Sequence, residues 1–382
     1  MAKDLPKDLI SNVLHRLRAK SLLRFRCVSR SWCSIIDDPL FVRSHLHRDF
    51  NFIVHGHHKK LRQMQMFTMY LCPHDNIVGD HILPLKDHEF ILDSMTLRGS
   101  SNGLVCLADQ GNVIICNLST RVFHNVKLPS EYTIDKFWFS YGFGYDSIND
   151  DYKVVRVDRR RCQEISGYEN TVVYSLRKDS WDRPQTNLPS FFHRSSISNE
   201  DPVLVSGALH WTIWGDNKDK PFLVFAFDLA TEEFGKIDLP VKTDRPPAMG
   251  VLGGCLTMTC SCTDVEYDIE LWVMKDYMVQ ESWTKLFRTS AVGYDGDLRP
   301  ITYSRDGNKI LMLSPSDCFF YWYHVESQVL VYVDIRGYSG LAIAPYSESL
   351  VSVSAYRGCN KRLRTAKETI LGCDLGNKKI KF

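Results

Sequence analysis

Residues 102–129 read NGLVCLADQGNVIICNLSTRVFHNVKLP, and this stretch decides the architecture of most of the chain. It runs from a glycine into an aliphatic strand, a polar turn, a second strand ending in Asn117-Leu118, a threonine-containing turn, a third strand and Leu-Pro. Residues 206–240, SGALHWTIWGDNKDKPFLVFAFDLATEEFGKIDLP, repeat that order, and 253–287 and 307–335 keep its rhythm. The marker glycines Gly103 and Gly207 lie 104 residues apart, two periods, and the next intervals, to Gly254 and Gly307, are 47 and 53. A period near fifty with three or four short strands per unit is the sequence form of a β-propeller. Each unit is a small sheet with two apolar faces that only neighbouring units can cover. Six blades are expected, with seven the alternative. The stretch LAIAPYSESLVSVSAY, 341–356, is expected to complete the first blade and so remove exposed edges.

Ahead of the strands, residues 4–46 are helical in pattern. Leu5, Leu9, Ile10, Val13, Leu14 and Leu17 fall on one face, opposite Lys7, Asp8, Ser11, Asn12, His15 and Arg16, and Pro6 suits a first helical turn. Leu22, Leu23, Phe25, Cys27 and Val28 surround a second segment, and Trp32, Ile35 and Ile36 mark a third, stopped by Asp37-Asp38-Pro39. Some forty residues cannot bury that much apolar surface among themselves. The surplus face needs the rest of the chain or a second protein.

LPKDLISNVLHRL, KSLLRFRCVSRSW and IIDDPLF, in that order, resemble the F-box, the adaptor-binding module of cullin-type ubiquitin ligases. The resemblance implies that Leu5, Pro6, Leu9, Ile10, Val13, Leu22, Leu23, Cys27, Val28 and Trp32 carry the contacts to a Skp-type adaptor, and through it to a cullin and a RING protein. Spacing leaves open which of them face the adaptor and which pack inside. Arg18 stands where relatives usually place proline, in the turn between the first two helices. The strand region resembles the plant F-box-associated interaction domain, related to kelch propellers. The resemblance rests on GYDSINDDYKVVRV at 144–157, NLSTR at 117–121, ALHW at 208–211 and ELWVMKDYMVQESWTKLF at 270–287. Leu118 departs from the family's usual proline. Within the group the chain looks most like the defence-regulating type named for constitutive expression of pathogenesis-related genes, with S-locus F-box proteins as cousins. The expected organisation is a small all-α F-box at 1–46, an all-β propeller for substrate recognition at 47–356, and a basic tail at 357–382.

Composition narrows the function. With 47 basic and 45 acidic residues, a net charge of +2, no global field favours nucleic acid or an anionic membrane. Twelve cysteines include no CxxC pair, and Cys106, Cys116 and Cys255 sit in apolar runs as small hydrophobes. No apolar leader opens the sequence and no eighteen-residue apolar run occurs, so cytoplasm, nucleus or both are expected.

Common motifs of phosphate and metal chemistry are missing: the sequence has no phosphate-cradling Gly-rich loop ending in Lys-Ser/Thr and no His-Glu-x-x-His. Gly142-Phe143-Gly144 lacks a third glycine and reads as a strand-end pair. His55, His57 and His58 read as a polar turn rather than metal ligands. No catalytic residue, metal or cofactor is expected. For protein recognition the candidates are Trp211 and Trp214 and the aromatic run Phe319–Tyr323, which equally suit the core between blades, and the Arg159, Arg160, Arg161 run, which suits an acidic partner or phosphate if it is not simply a solvated loop. The expectation is a non-catalytic specificity subunit of a Skp–cullin–F-box ligase, its substrate a protein such as an immune receptor. The alternatives are a binding protein that engages the adaptor without forming an active ligase, and a propeller hydrolase.

Overall fold

The computed structural model describes residues 6–46, 51–58, 63–71, 77–81, 95–109, 111–129, 139–158, 171–184, 196–197, 201–217, 220–243, 245–261, 268–290, 298–314, 319–333 and 338–356. Four short helices lead: α1 (Lys7–Leu14), α2 (Ala19–Phe25), α3 (Arg30–Ile36) and α4 (Pro39–Ser44). Their ends follow from the sequence. The Ser29 hydroxyl accepts the Trp32 amide (3.1 Å) at the start of α3. Asp38 accepts the Leu40 amide (2.8 Å), and Pro39 fills the first turn of α4. Asp37-Asp38-Pro39 therefore ends one helix and opens the next.

Strands then form six antiparallel sheets. The first is β1 (Asn51–His58), β2 (Gln63–Leu71) and β3 (Ile77–His81). The second is β4 (Thr96–Ser101), β5 (Leu104–Ala108), β6 (Asn112–Asn117) and β7 (Val122–Lys127), and the third is β8 (Phe139–Asp146), β9 (Asp151–Asp158), β10 (Thr171–Ser175) and β11 (Ser180–Asp182). The fourth has β12 (Ser196–Ile197) and β13 (Val203–Val205) both paired to β14 (Ala208–Asn217), followed by β15 (Lys220–Asp228) and β16 (Phe234–Ile237). The fifth is β17 (Ala248–Leu252), β18 (Cys255–Ser261), β19 (Asp268–Met274) and β20 (Trp283–Ser290). The sixth is β21 (Arg299–Tyr303), β22 (Lys309–Ser314), β23 (Phe319–His324) and β24 (Val329–Val333). The last strand, β25 (Tyr338–Tyr346), returns to the first sheet and pairs β1 from Asn51↔Tyr346 to His58↔Tyr338. A single-turn helix, α5 (Val353–Tyr356), follows.

This is a six-bladed β-propeller closed by its C-terminal strand. From blade one to blade six the leading strands β25, β4, β8, β13, β17 and β21 touch in succession. Among the described residues each blade–blade interface holds its own apolar cluster, six in all, and a seventh lies in the helices. Gly142 and Gly144 lie within β8 rather than at its end, because blade four packs on them: a Cβ at Gly142 would stand 2.6 Å from Leu209 Cδ1, and one at Gly144 the same distance from Leu229 Cδ1. The histidine group belongs to β1 and not to a turn, and His55 is buried there. Trp211 is likewise no surface residue. It stacks on Phe225 (4.8 Å between ring centroids) and donates its indole N–H to Ser140 Oγ of blade three (3.0 Å).

The hairpin turns within blades share a construction. Asn117, Asp146 and Asp228 each accept two backbone amides two and three residues on, from Ser119 and Thr120, Ile148 and Asn149, and Ala230 and Thr231. Each turn then closes on a residue with positive φ: Arg121, Asp150 and Glu232.

Candidate adaptor-docking face and its seat on the propeller

Six helix residues, Leu14, Ala19, Leu22, Ile35, Ile36 and Phe41, form a common core with Leu350, which comes from the segment after β25. Ile10, Leu23 and Trp32 are half-buried against it, and the Trp32 ring meets Phe25 edge-on at 5.7 Å. The interior therefore claims Leu22 outright: with no exposed surface, it is removed from the set of residues available to a partner.

Others of that set stay open. Leu9 and Val13, one turn apart on α1, are 51% and 58% exposed; Pro6 lies on the same stripe one turn earlier and is exposed too. Val28 is 58% exposed beside exposed Cys27, in the turn between α2 and α3. Leu40, at the start of α4, is 76% exposed as well; following Asp38-Pro39 outside any apolar period, it is not singled out by helical spacing. Leu5 and Arg159, Arg160 and Arg161 lie outside the described residues. Small apolar side chains with no polar function, held on helices by a packed core, can bind another apolar surface and do little else chemically.

The opposite side of the helices is seated on the propeller. Val42 and Leu46 pack on the cluster between blades two and three, and Leu350 inserts from the propeller side into the helical core. Lys20 faces Glu348 at 3.6 Å. Polar contacts converge on Asp150 in the β8–β9 turn. Its carboxylate accepts the Tyr145 hydroxyl (2.7 Å), the Tyr356 hydroxyl of α5 (3.2 Å), the Arg177 guanidinium (2.6 Å) and the guanidinium of Arg43 on α4. Burial alone would raise the Asp150 pKa, but Tyr145, Arg43 and Arg177 outweigh it and hold the carboxyl below the usual range. The segment between β25 and α5 is held by Asn117, whose side-chain amide donates to Ser349 O (3.1 Å) and Val351 O (2.8 Å) while its oxygen caps its own turn. Gly103 makes room: at φ 79° a Cβ there would lie 2.3 Å from Ser349 Oγ.

The far end of the propeller carries the other recognition candidates. Trp214, near the end of β14 away from the Ser206-Gly207 turn, remains 41% exposed and packs on Phe222. Phe319, at the matching end of β23, is exposed and meets Tyr332 edge-on at 5.2 Å. A cavity of about 300 Å³ between blades three and four is lined by Asp151, Lys153, Ser175, Arg177 and Glu232, among others. Its charges are engaged with one another: Lys153 meets Asp146 (3.1 Å) and Glu232 (2.8 Å), and Ser175 donates to Asp151. Among the described residues no group of three or more His, Cys, Asp or Glu could hold a metal ion, and no helix is long and apolar enough to cross a membrane.

Comparison with known proteins matches residues 3–44 to the F-box domain and residues 50–352 to the F-box associated beta propeller domain. F-box protein CPR1 of Arabidopsis thaliana is 32% identical over 391 residues, covering 95% of this chain and 91% of that protein. A second F-box protein of the same plant is 30% identical over 87% of this chain and 86% of its own length. An F-box/kelch-repeat protein, also from Arabidopsis thaliana, is 28% identical over 81% and 85%. A helical head with an open apolar stripe, a six-bladed ring behind it and these matches together make the chain a member of the plant F-box proteins that carry an F-box-associated β-propeller.

Proposed function

We propose that this protein is the non-catalytic substrate-recognition subunit of a Skp–cullin–F-box ubiquitin ligase. The F-box engages a Skp-type adaptor, which links it to a cullin and a RING protein, and the propeller binds a protein destined for ubiquitylation in the cytoplasm or nucleus. Its contribution to rate is proximity: it holds a substrate lysine within reach of the ubiquitin-charged enzyme and breaks no bond itself. The observation that carries this reading is the open stripe of Pro6, Leu9 and Val13 on an F-box whose other side is already covered. The resemblance of the sequence to the defence-regulating type favours a protein substrate such as an immune receptor. Trp214, Phe319 and Tyr332 are exposed aromatics able to meet it.

Titration of a purified Skp-type adaptor tests the docking step. Each aliphatic side chain buried in such a complex contributes roughly 1.5–3 kcal/mol, so Leu9→Ala with Val13→Ala should weaken adaptor binding at least tenfold while the fold is kept. Wild-type affinity in a folded double variant would remove the docking model. Reconstitution with cullin, RING protein and charged enzyme separates a working ligase from a binder that only engages the adaptor: ubiquitin transfer supports the first, and a stable complex without transfer supports the second.

A further inference from the structure

The seam between F-box and propeller is built from both sides by one short segment. Residues 347–356 leave the closing strand β25, are clamped to blade two by Asn117, send Leu350 into the helical core and end at Tyr356 on Asp150. Asp150 in turn gathers groups from three places in the chain: α4 through Arg43, blade three through Tyr145 and Arg177, and α5 through Tyr356. The apolar part of such a seam supplies adhesion without direction. Four donors on one carboxylate supply direction, because each fixes a distance and an angle.

We infer that the F-box and the propeller are one rigid body, and that Asp150 is the positioning residue that fixes the angle between them. The position itself suits the task. Asp150 has φ 54°, in the left-handed region that closes this turn, so its carboxylate is set by the hairpin and not by a free loop. Four donors on a partly exposed carboxylate form a network, which resists rotation better than an isolated surface pair of small net energy. In the proposed ligase, which this reading deepens, the rigid seat fixes where the far rim of the propeller stands relative to the adaptor. A substrate lysine is then presented at a constant distance and not swept through a cone.

The measurement is a pulsed electron-resonance distance distribution on the full chain. Nitroxides are attached through introduced keto amino acids at Leu40 on α4 and Val329 on blade six, both exposed, so that the twelve native cysteines are left alone. The wild type should give one narrow peak. Asp150→Asn keeps a residue that tolerates positive φ and keeps the oxygen facing Tyr145 and Tyr356, but removes the charge that holds both arginines; it should widen the peak at least 1.5-fold. Leu350→Ala should widen it more, and Arg43→Gln gives the same test from the F-box side without touching the turn. A broad wild-type peak overturns the rigid body. A peak that Leu350→Ala widens and both Asp150→Asn and Arg43→Gln leave unchanged overturns the role of Asp150. Adaptor affinity, measured on Asp150→Asn, Arg43→Gln and the wild type without labels and with Leu40 in place, should stay within about twofold of wild type. A wild type that bound no adaptor would defeat the ligase reading and leave the distance result standing.

Discussion

Leu9 and Leu22 belong to neighbouring helices and to equally apolar stretches, yet one is half exposed and the other has no exposed surface. What separates them is cover. Leu22 shares a core with Leu14, Phe41 and Leu350, the last contributed more than three hundred residues later. Among the described residues nothing in the propeller covers the stripe of Leu9 and Val13. The contrast also sets the F-box against the blades, where every interface buries its own apolar cluster in a neighbour of the same kind. A repeat supplies its own cover, whereas a four-helix head of forty residues does not.

The largest expected effect exploits that contrast. Leu22→Ala should destabilise the F-box by about 2–5 kcal/mol, the range for a buried leucine that leaves a cavity, whereas Leu9→Ala should change stability by no more than about 0.5 kcal/mol. Hydrogen exchange of the helical amides in denaturant would read both. Equal losses for the two variants would mean that the α1 stripe is covered after all, and the distinction between seat and docking face would collapse.

The same contrast explains what could be read from sequence. The marker glycines Gly103, Gly207, Gly254 and Gly307 all prove to have φ between 76° and 83° in the turn between the first two strands of a blade. Glycine is legible there because other residues resist that backbone, so the fold repeats the residue and its spacing. Blade three broke the period because its turn closes on Asp150 at φ 54°, which is why the first interval spanned two blades. Strand alternation located the blades, and the return of β25 to β1 was visible as a spare strand at 341–356. The docking face was legible only as a set. Helical spacing puts Leu9 and Leu22 in similar patterns, and the residue that tells them apart, Leu350, is remote in sequence. Trp211 reads from sequence either as a rim aromatic or as core between blades, and only Ser140 and Phe225 on other strands decide for the core. The anchoring role of Asn117 was hidden in the same way, since NLSTR gives away the turn it caps but not the segment 349–351 that its amide holds.

Titration separates the two regions further. His210, between blades four and five, lies 3.2 Å from Val203 O through Nδ1 and 3.0 Å from the Tyr277 hydroxyl through Nε2, and burial pushes its pKa down to about 4 from 6.5. Between those values the unfolded chain binds a proton that the folded ring refuses. This stability is complete above about pH 6.5 and is lost as pH falls toward 4, by up to about 1.4 kcal/mol per unit. Urea midpoints of the propeller at pH 7.5 and 5 should differ in that direction, and His210→Gln should flatten the difference. An unchanged slope in that variant would assign the acid sensitivity elsewhere. Leu9 and Val13 carry no titratable group, so adaptor binding should change less with pH over this range than propeller stability does.

The smallest effect concerns the turn that leads into α2. Arg18 departs from the proline usual at this place, yet its backbone already has φ −66° and ψ 151°, and its side chain caps nothing. Proline locks φ near −65°. Arg18→Pro should therefore keep the native turn and restrict only the unfolded chain, stabilising the F-box by about 0.4–1 kcal/mol. Since the turn joins the helix that bears the open stripe to the helix that bears the buried Leu22, the substitution also asks whether seat and docking face are independent. A higher denaturation midpoint with unchanged adaptor affinity would show that they are. A gain in adaptor affinity as well would mean that Arg18 leaves α1 free to move against the core, and that rigidity reaches the docking face through this one turn.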